Sequence, residues 1–149
     1  MIPLAHSARN GKLPQSYREH VTGVVDHACS NLKAIFPFIR TERADCYLEI
    51  VKDAAIYHDL GKLAAQNQNI LSNTAKYEHL PIEHRDAGIK YLIGPNVEQA
   101  SSTLVYAHHC PGLPNLMEQK TQLSPFRFSE AMADSDSHLQ EYLDLHSKE

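Results

Sequence analysis

A chain of 149 residues with 14 basic and 18 acidic side chains, a net charge of −4 and 42% apolar residues has the size and composition of one domain around a single core. Three widely spaced cysteines (Cys29, Cys46 and Cys110) without a CxxC argue against a disulfide framework or a Cys-rich zinc site, and no apolar run approaches the roughly 20 residues of a membrane-spanning helix. The start Met1-Ile2-Pro3-Leu4-Ala5-His6 has neither the basic nor the apolar region of an export signal, so the chain is expected to be soluble and cytoplasmic, with no membrane partner. A mildly acidic balance also argues against coating nucleic acid by charge alone, so any such contact must be local.

Strand signals are scarce, whereas apolar residues recur every three or four positions, which predicts an all-α domain of five or more helices spanning residues 1–149. The first helix starts at Ser16, where Ser16-Tyr17-Arg18-Glu19 has the S-x-x-E form of a capping box, and runs through Val21, Val24, Val25, Ala28 and Leu32 toward Pro37. A second follows Thr41 with the stripe Ala44, Leu48, Val51, Ala55, His58, and Gly61 is placed as its C-cap. Leu63 to Glu78 reads as a broken helix or loop, in which Gln66-Asn67-Gln68-Asn69 is a solvated segment. Pro81 opens a third helix through His84, Ala87, Gly88, Tyr91 and Leu92, ended by Gly94-Pro95. A fourth carries Val97, Ser101, Leu104 and His108 and ends before Pro111-Gly112. Ser124-Pro125 opens a fifth through Phe128, Met132, Leu139 and Leu143.

The compositional excess is in histidine, 10 of 149 residues, and it is organised. His20, His58, His84 and His108 fall on four different predicted helices, each in or beside the apolar stripe, which is how a helical bundle builds a metal centre in its core. Imidazole with carboxylate suits divalent Mn, Fe, Ni, Co or Zn, and the absence of thiolates at these positions argues against a purely structural zinc. Adjacent helical residues point about 100° apart, so His58 and Asp59 reach one ion only where the helix ends or if ions lie between them. A carboxylate has two oxygens, which makes Asp59 the natural bridge, with His58 on one metal and His84, His108 and His109 available to the other. Two metals about 3.5–4 Å apart suit phosphoryl hydrolysis, and Lys62 offers a fixed positive charge for a substrate phosphate.

The run His58-Asp59-Leu60-Gly61-Lys62, preceded by His20 and followed by His84 and His108-His109, resembles the HD superfamily of metal-dependent phosphohydrolases. More narrowly it resembles the HD nuclease domain of the CRISPR type I interference helicase-nuclease. That match rests on Ala5-His6-Ser7, Glu19-His20-Val21, Gln68 after the HDLGK run, Pro81-Ile82-Glu83-His84 leading to Asp86-Ala87-Gly88, and Ala107-His108-His109 before Gly112-Leu113-Pro114. It covers about residues 4–136; Asn67 stands where that family has Phe, and the chain is short for the family.

The resemblance implies an HD-type helical bundle acting as endo- and exonuclease on single-stranded DNA displaced by an RNA-guided surveillance complex, with one or two divalent ions (Mn, Fe, Ni, Co or Mg). It implies that His20, His58 and Asp59 hold one metal with a late Asp, that Asp59, His84, His108 and His109 hold the second, and that Lys62 sits by the scissile phosphate. The late Asp is Asp134 by the motif Met132-Ala133-Asp134, or Asp136 by the helical stripe; the two point about 200° apart, so both cannot serve. No GxxxxGK[ST] is present, so the implied helicase is a separate chain or lies beyond this fragment. Two other functions fit the same residues: an HD phosphohydrolase of nucleotides or cyclic nucleotides, and a degenerate HD fold serving as a non-catalytic interaction module. His27, seven residues beyond His20 and near the same face, lies outside the motifs; His6, His79, His138 and His146 are expected at the surface or behind the ligands, with His6 the best candidate for a supporting contact. Cys110 is expected to be a free thiol.

Overall fold

The computed structural model describes residues 2–9, 11–39, 42–73, 79–93, 99–109, 112–113 and 133–149, with the side chains of 99 and 133–136 left aside. Among these residues it is mostly helical: α1 (Tyr17–Ile35), α2 (Ala44–Tyr57), α3 (Ala65–Ser72), α4 (Asp86–Leu92), α5 (Gln99–Ala107) and α6 (Ala133–His146), with short 3-10 turns at Phe36–Phe38 and Leu60–Leu63. No helix among them is long and apolar enough to cross a membrane.

The expectation of a purely α chain is corrected at the N-terminus. Strands β1 (Leu4–His6) and β2 (Gln15–Ser16) pair antiparallel, His6 opposite Gln15, and Arg9 pairs with Lys12 beyond them. Gly11 closes the turn at φ +77°, a left-handed conformation that glycine adopts without steric cost. Runs of three and two residues are too short to show the alternation by which a strand is read from sequence.

Helix α1 starts as its sequence dictates. Glu19 N–H donates to Ser16 Oγ (3.2 Å) and Ser16 N–H donates to the Glu19 carboxylate (3.1 Å), which completes the capping box. One apolar cluster joins Tyr17, Val21, Leu60, Leu63, Ala64, Ala87 and Tyr142, packing α1, the 60–63 turn, α4 and α6 together. A second, Ala54, Ile89, Leu92, Val105 and Tyr106, packs α2, α4 and α5. Ala54 of the second cluster and Leu60, Leu63 and Ala64 of the first flank His58 and Asp59 along the chain, so the core anchors that pair on both sides.

Three further expectations are revised. Gly61 is not a left-handed C-cap: it lies within the 60–63 turn, and its missing side chain is needed because a Cβ there would sit 2.7 Å from the His84 carbonyl oxygen. The 66–69 segment is not a solvated loop. It belongs to α3, Asn67 is 0% exposed, and its amide donates to Gly61 O and Ile82 O (2.9 Å each) while Ile82 N–H donates to Asn67 Oδ1 (3.0 Å). The third helix starts at Asp86, not near Pro81, and His84 precedes it. The carbonyls of Ile82 and His84, which a helix opening at Pro81 would use as acceptors, are instead engaged by the Asn67 amide (2.9 Å) and by Gly61 N–H (2.8 Å). The predicted fifth-helix start at Ser124-Pro125 lies outside the described residues.

Candidate metal centre

The His58-Asp59 pair sits where α2 ends. His58 is the C-cap, still in the right-handed helical region (φ −56°, ψ −32°), and Asp59 leaves it (φ −113°, ψ 17°). The break lets two neighbouring side chains converge, which a continuing helix forbids. Asp59 is 1% exposed, and its oxygen Oδ2 lies 2.9 Å from His20 Nε2 on α1, 3.2 Å from His58 Nε2 and 2.7 Å from Lys62 Nζ. Its other oxygen faces the second set, with His84 Nε2 at 3.5 Å and His108 Nε2 at 3.9 Å. His84 Nε2 and His109 Nε2 are 2.7 Å apart.

Two groups therefore bring ligand atoms close enough to hold a metal ion: His20, His58 and Asp59, and His84, His108 and His109. The first is a triangle with edges of 2.9, 3.1 and 3.2 Å. Ligands about 2.1 Å from one ion stand about 3.0 Å apart at octahedral angles and about 3.4 Å apart at tetrahedral angles. The triangle matches one face of an octahedron, the two-histidine, one-carboxylate arrangement that leaves other positions open.

The imidazoles are prepared for this role. His58 Nδ1–H donates to the Ala55 carbonyl (2.8 Å), and His108 Nδ1–H donates to the Val105 carbonyl, each three residues back on the helix just ended. That fixes the tautomer and leaves the Nε2 lone pair facing the centre. Burial pushes His84 down to about 3 and His108 down to about 4, and burial followed by the charge of Arg85 lowers His109, so all three are neutral near pH 7 and bind a cation without first losing a proton. Burial alone would raise the Asp59 carboxyl; the hydrogen bond from His20 and the Lys62 charge act against it, and the group lies well below the usual carboxylate range.

Every described histidine expected as a ligand, His20, His58, His84, His108 and His109, thus lies in one of the two groups. No protein-family model, curated protein or solved structure matches the chain. Asp134 and Asp136 both fall on α6, among residues whose side chains are outside the description, as is Cys110. Lys62 is present but buried (7% exposed) and paired with Asp59. His6 lies edge-on to His20, with ring centroids 4.7 Å apart. His27, His79 and His138 are exposed, and His146 pairs with Tyr17 OH at 3.1 Å.

Sequence reasoning missed what supports the site. Asn67 ties the Asp59-bearing turn to the segment carrying His84, and Gln68 ties that turn to the hairpin by donating to Lys62 O (2.7 Å) and Leu4 O (2.9 Å) while accepting from Leu4 N–H (2.8 Å). An open cleft of about 950 Å³ runs from Lys62, His84 and His109 along the hairpin.

Proposed function

We propose that this chain is a metal-dependent phosphohydrolase of HD type that hydrolyses phosphodiester bonds of single-stranded DNA, with a dinuclear centre bridged by Asp59. The observation that carries the reading is the division of that carboxylate, one oxygen toward His20 and His58 and the other toward His84 and His108. In this reading His20, His58 and Asp59 hold one ion, with Asp134 or Asp136 as a further ligand, and Asp59, His84, His108 and His109 hold the other. Divalent ions of the Mn, Fe, Ni, Co or Mg class supply Lewis acidity to the phosphoryl oxygens and lower the pKa of water there. The chain's own residues set the rest: Asn67 and the Gly61–His84 bond hold the two histidine groups in register, and Lys62, on the cleft wall, adds positive charge beside the phosphate. Bound cations also reconcile a net charge of −4 with a polyanionic substrate.

By the resemblance in its motifs, a helicase and an RNA-guided complex are the partners proposed. The test is cleavage of a single-stranded DNA by protein reconstituted with each metal, with metal content measured in parallel. Cleavage is expected under at least one of Mn, Ni, Co, Fe or Mg; none, with metal bound, refutes the nuclease reading. Faster turnover of mononucleotides or cyclic nucleotides than of DNA would select the nucleotide phosphohydrolase instead. Absence of stoichiometric metal would select the non-catalytic module.

A further inference from the structure

We infer that His146, the last residue of α6, is a positioning residue: in contact with both Tyr17 and Tyr57, it sets α1 against α2 and so holds His20 in place beside His58 and Asp59. The consequence for a bound cation rests on the metal-dependent reading; the positioning itself does not. His146 Nδ1 and the Tyr17 hydroxyl share a hydrogen bond of 3.1 Å, with the two rings edge-on and their centroids 5.8 Å apart. The Tyr57 ring lies on His146 with centroids 5.2 Å apart at 40°. Tyr57 in turn packs on Tyr91 of α4, at 4.4 Å between centroids, and hydrogen-bonds it. A single imidazole on α6 thus touches both helices that lead to the first ligand group.

Each tyrosine is fixed to a ligand by less than one helical turn. Tyr17 stands three residues before His20 on α1, about 60° around the helix and about 4.5 Å along it. Tyr57 is the last residue of α2, and His58 follows as its C-cap. Tyr17 is 1% exposed, and burial followed by the negative charge of Asp59 raises its phenol, so the hydroxyl stays protonated within the field of that carboxylate. Apart from the His20–His58 contact itself, no hydrogen bond or ion pair joins α1 to α2 among the described residues. Packed helices can slide past each other by small shear movements, whereas a ligand triangle with edges of 2.9, 3.1 and 3.2 Å is spoiled by a shift of about 1 Å. His146 supplies the directional contact that apolar packing lacks. The second group is held by other means: Asn67 and the Gly61–His84 bond fix His84, and His108 and His109 follow α5, with which His146 makes no hydrogen bond or ring contact.

The test compares the wild type with His146→Ala, Tyr17→Phe, His146→Asn and, as a control that loosens the same helix against the same core cluster, Leu143→Ala. In the metal-free chain, side-chain proton–nitrogen NMR spectra of the histidines should show the His20 and His58 resonances displaced by His146→Ala and by Tyr17→Phe, with those of His84, His108 and His109 in place. Manganese titration against a competing chelator is the second measurement, its two binding events assigned with His20→Ala and His109→Ala. His146→Ala should weaken manganese at the first group about tenfold and leave the second unchanged. His146→Asn, whose amide can take the Nδ1 hydrogen bond, should lie closer to the wild type, and Leu143→Ala should lower the melting temperature without separating the two groups. If His146→Ala does not fold, Tyr17→Phe, which removes one oxygen and keeps the ring, carries both measurements. Unmoved His20 and His58 resonances, undiminished or equally weakened manganese binding at the two groups, or the same separation in Leu143→Ala overturns the inference. A wild type that binds no manganese refutes the metal-dependent reading instead, and displaced His20 and His58 resonances then still support the positioning role.

Discussion

Replacing Asn67 by Ala tests whether one buried amide holds the candidate centre together. Asn67 makes three hydrogen bonds of 2.9–3.0 Å with no solvent exposure. Each is worth about 1 kcal/mol net. Gly61 O retains Ala64 N–H (3.2 Å) after truncation, but both backbone groups of Ile82 lose their partner. Adding the packing lost with the amide gives a total of about 3 kcal/mol. At about 2–4 °C per kcal/mol for a chain of this size, the melting temperature should fall by about 6–12 °C. The assay is thermal and urea unfolding with a chelator present, so that metal binding does not contribute. Metal titration should then show the His84, His108 and His109 group weakened more than the His20, His58 and Asp59 group, because Asn67 restrains the segment leading to His84. A loss under about 1 kcal/mol, or equal weakening of both groups, would refute the claim that this amide sets their register.

Three other outcomes are expected. Asp59→Asn, which keeps the shape but removes the charge, should abolish stoichiometric metal in elemental analysis and, by leaving the Lys62 ammonium buried without its carboxylate, destabilise the metal-free chain by about 3 kcal/mol in urea unfolding. Gly61→Ala should cost about 1–3 kcal/mol and lower metal affinity in chelator competition, since its Cβ would meet the His84 backbone at 2.7–3.0 Å, where no flexible side chain can yield. For pH, His84 and His108 titrate at about 3 and about 4 folded but near 6.5 unfolded, so between those values the unfolded chain binds more protons and metal-free stability falls as pH drops from about 6.5 toward 4. Asp86, raised to about 6 mainly by burial, acts in the opposite sense between about 6 and 4, so Asp86→Asn should steepen the fall; a pH-independent stability in chelator would contradict both.

What could be read from the sequence follows the range of the interaction that decides each feature. The α1 start depends on residues three apart, Ser16 and Glu19, and was legible as a motif. The His58-Asp59 break was legible because two adjacent ligands cannot converge on a continuing helix, although its cause was misassigned to Gly61. Asn67 was not legible: its partners are 6 and 15 residues away, and polar composition alone makes the segment look solvated. Gln68 is more extreme, with its hairpin partner 64 residues away. The late start of α4 depends on those same distant bonds, so Pro81 was a misleading signal. The hairpin did carry a local mark, the dipeptide Asn10-Gly11, a strong turn signal, but the strands flanking it are too short to confirm it.

The C-terminal ends of two helices meet at the histidines: α2 finishes at Tyr57 and α5 at Ala107, and His58 and His108 each reach back to a carbonyl of the final turn. Helix C-termini carry about half a negative charge, so both macrodipoles point their negative ends at the place where a cation would lie. The same bonds make the last turns of α2 and α5 part of the ligand sphere, because fraying either one frees the imidazole it orients. Cation binding and helix fraying are therefore opposed equilibria, and added metal should slow amide hydrogen exchange in those final turns before it changes exchange in the rest of either helix.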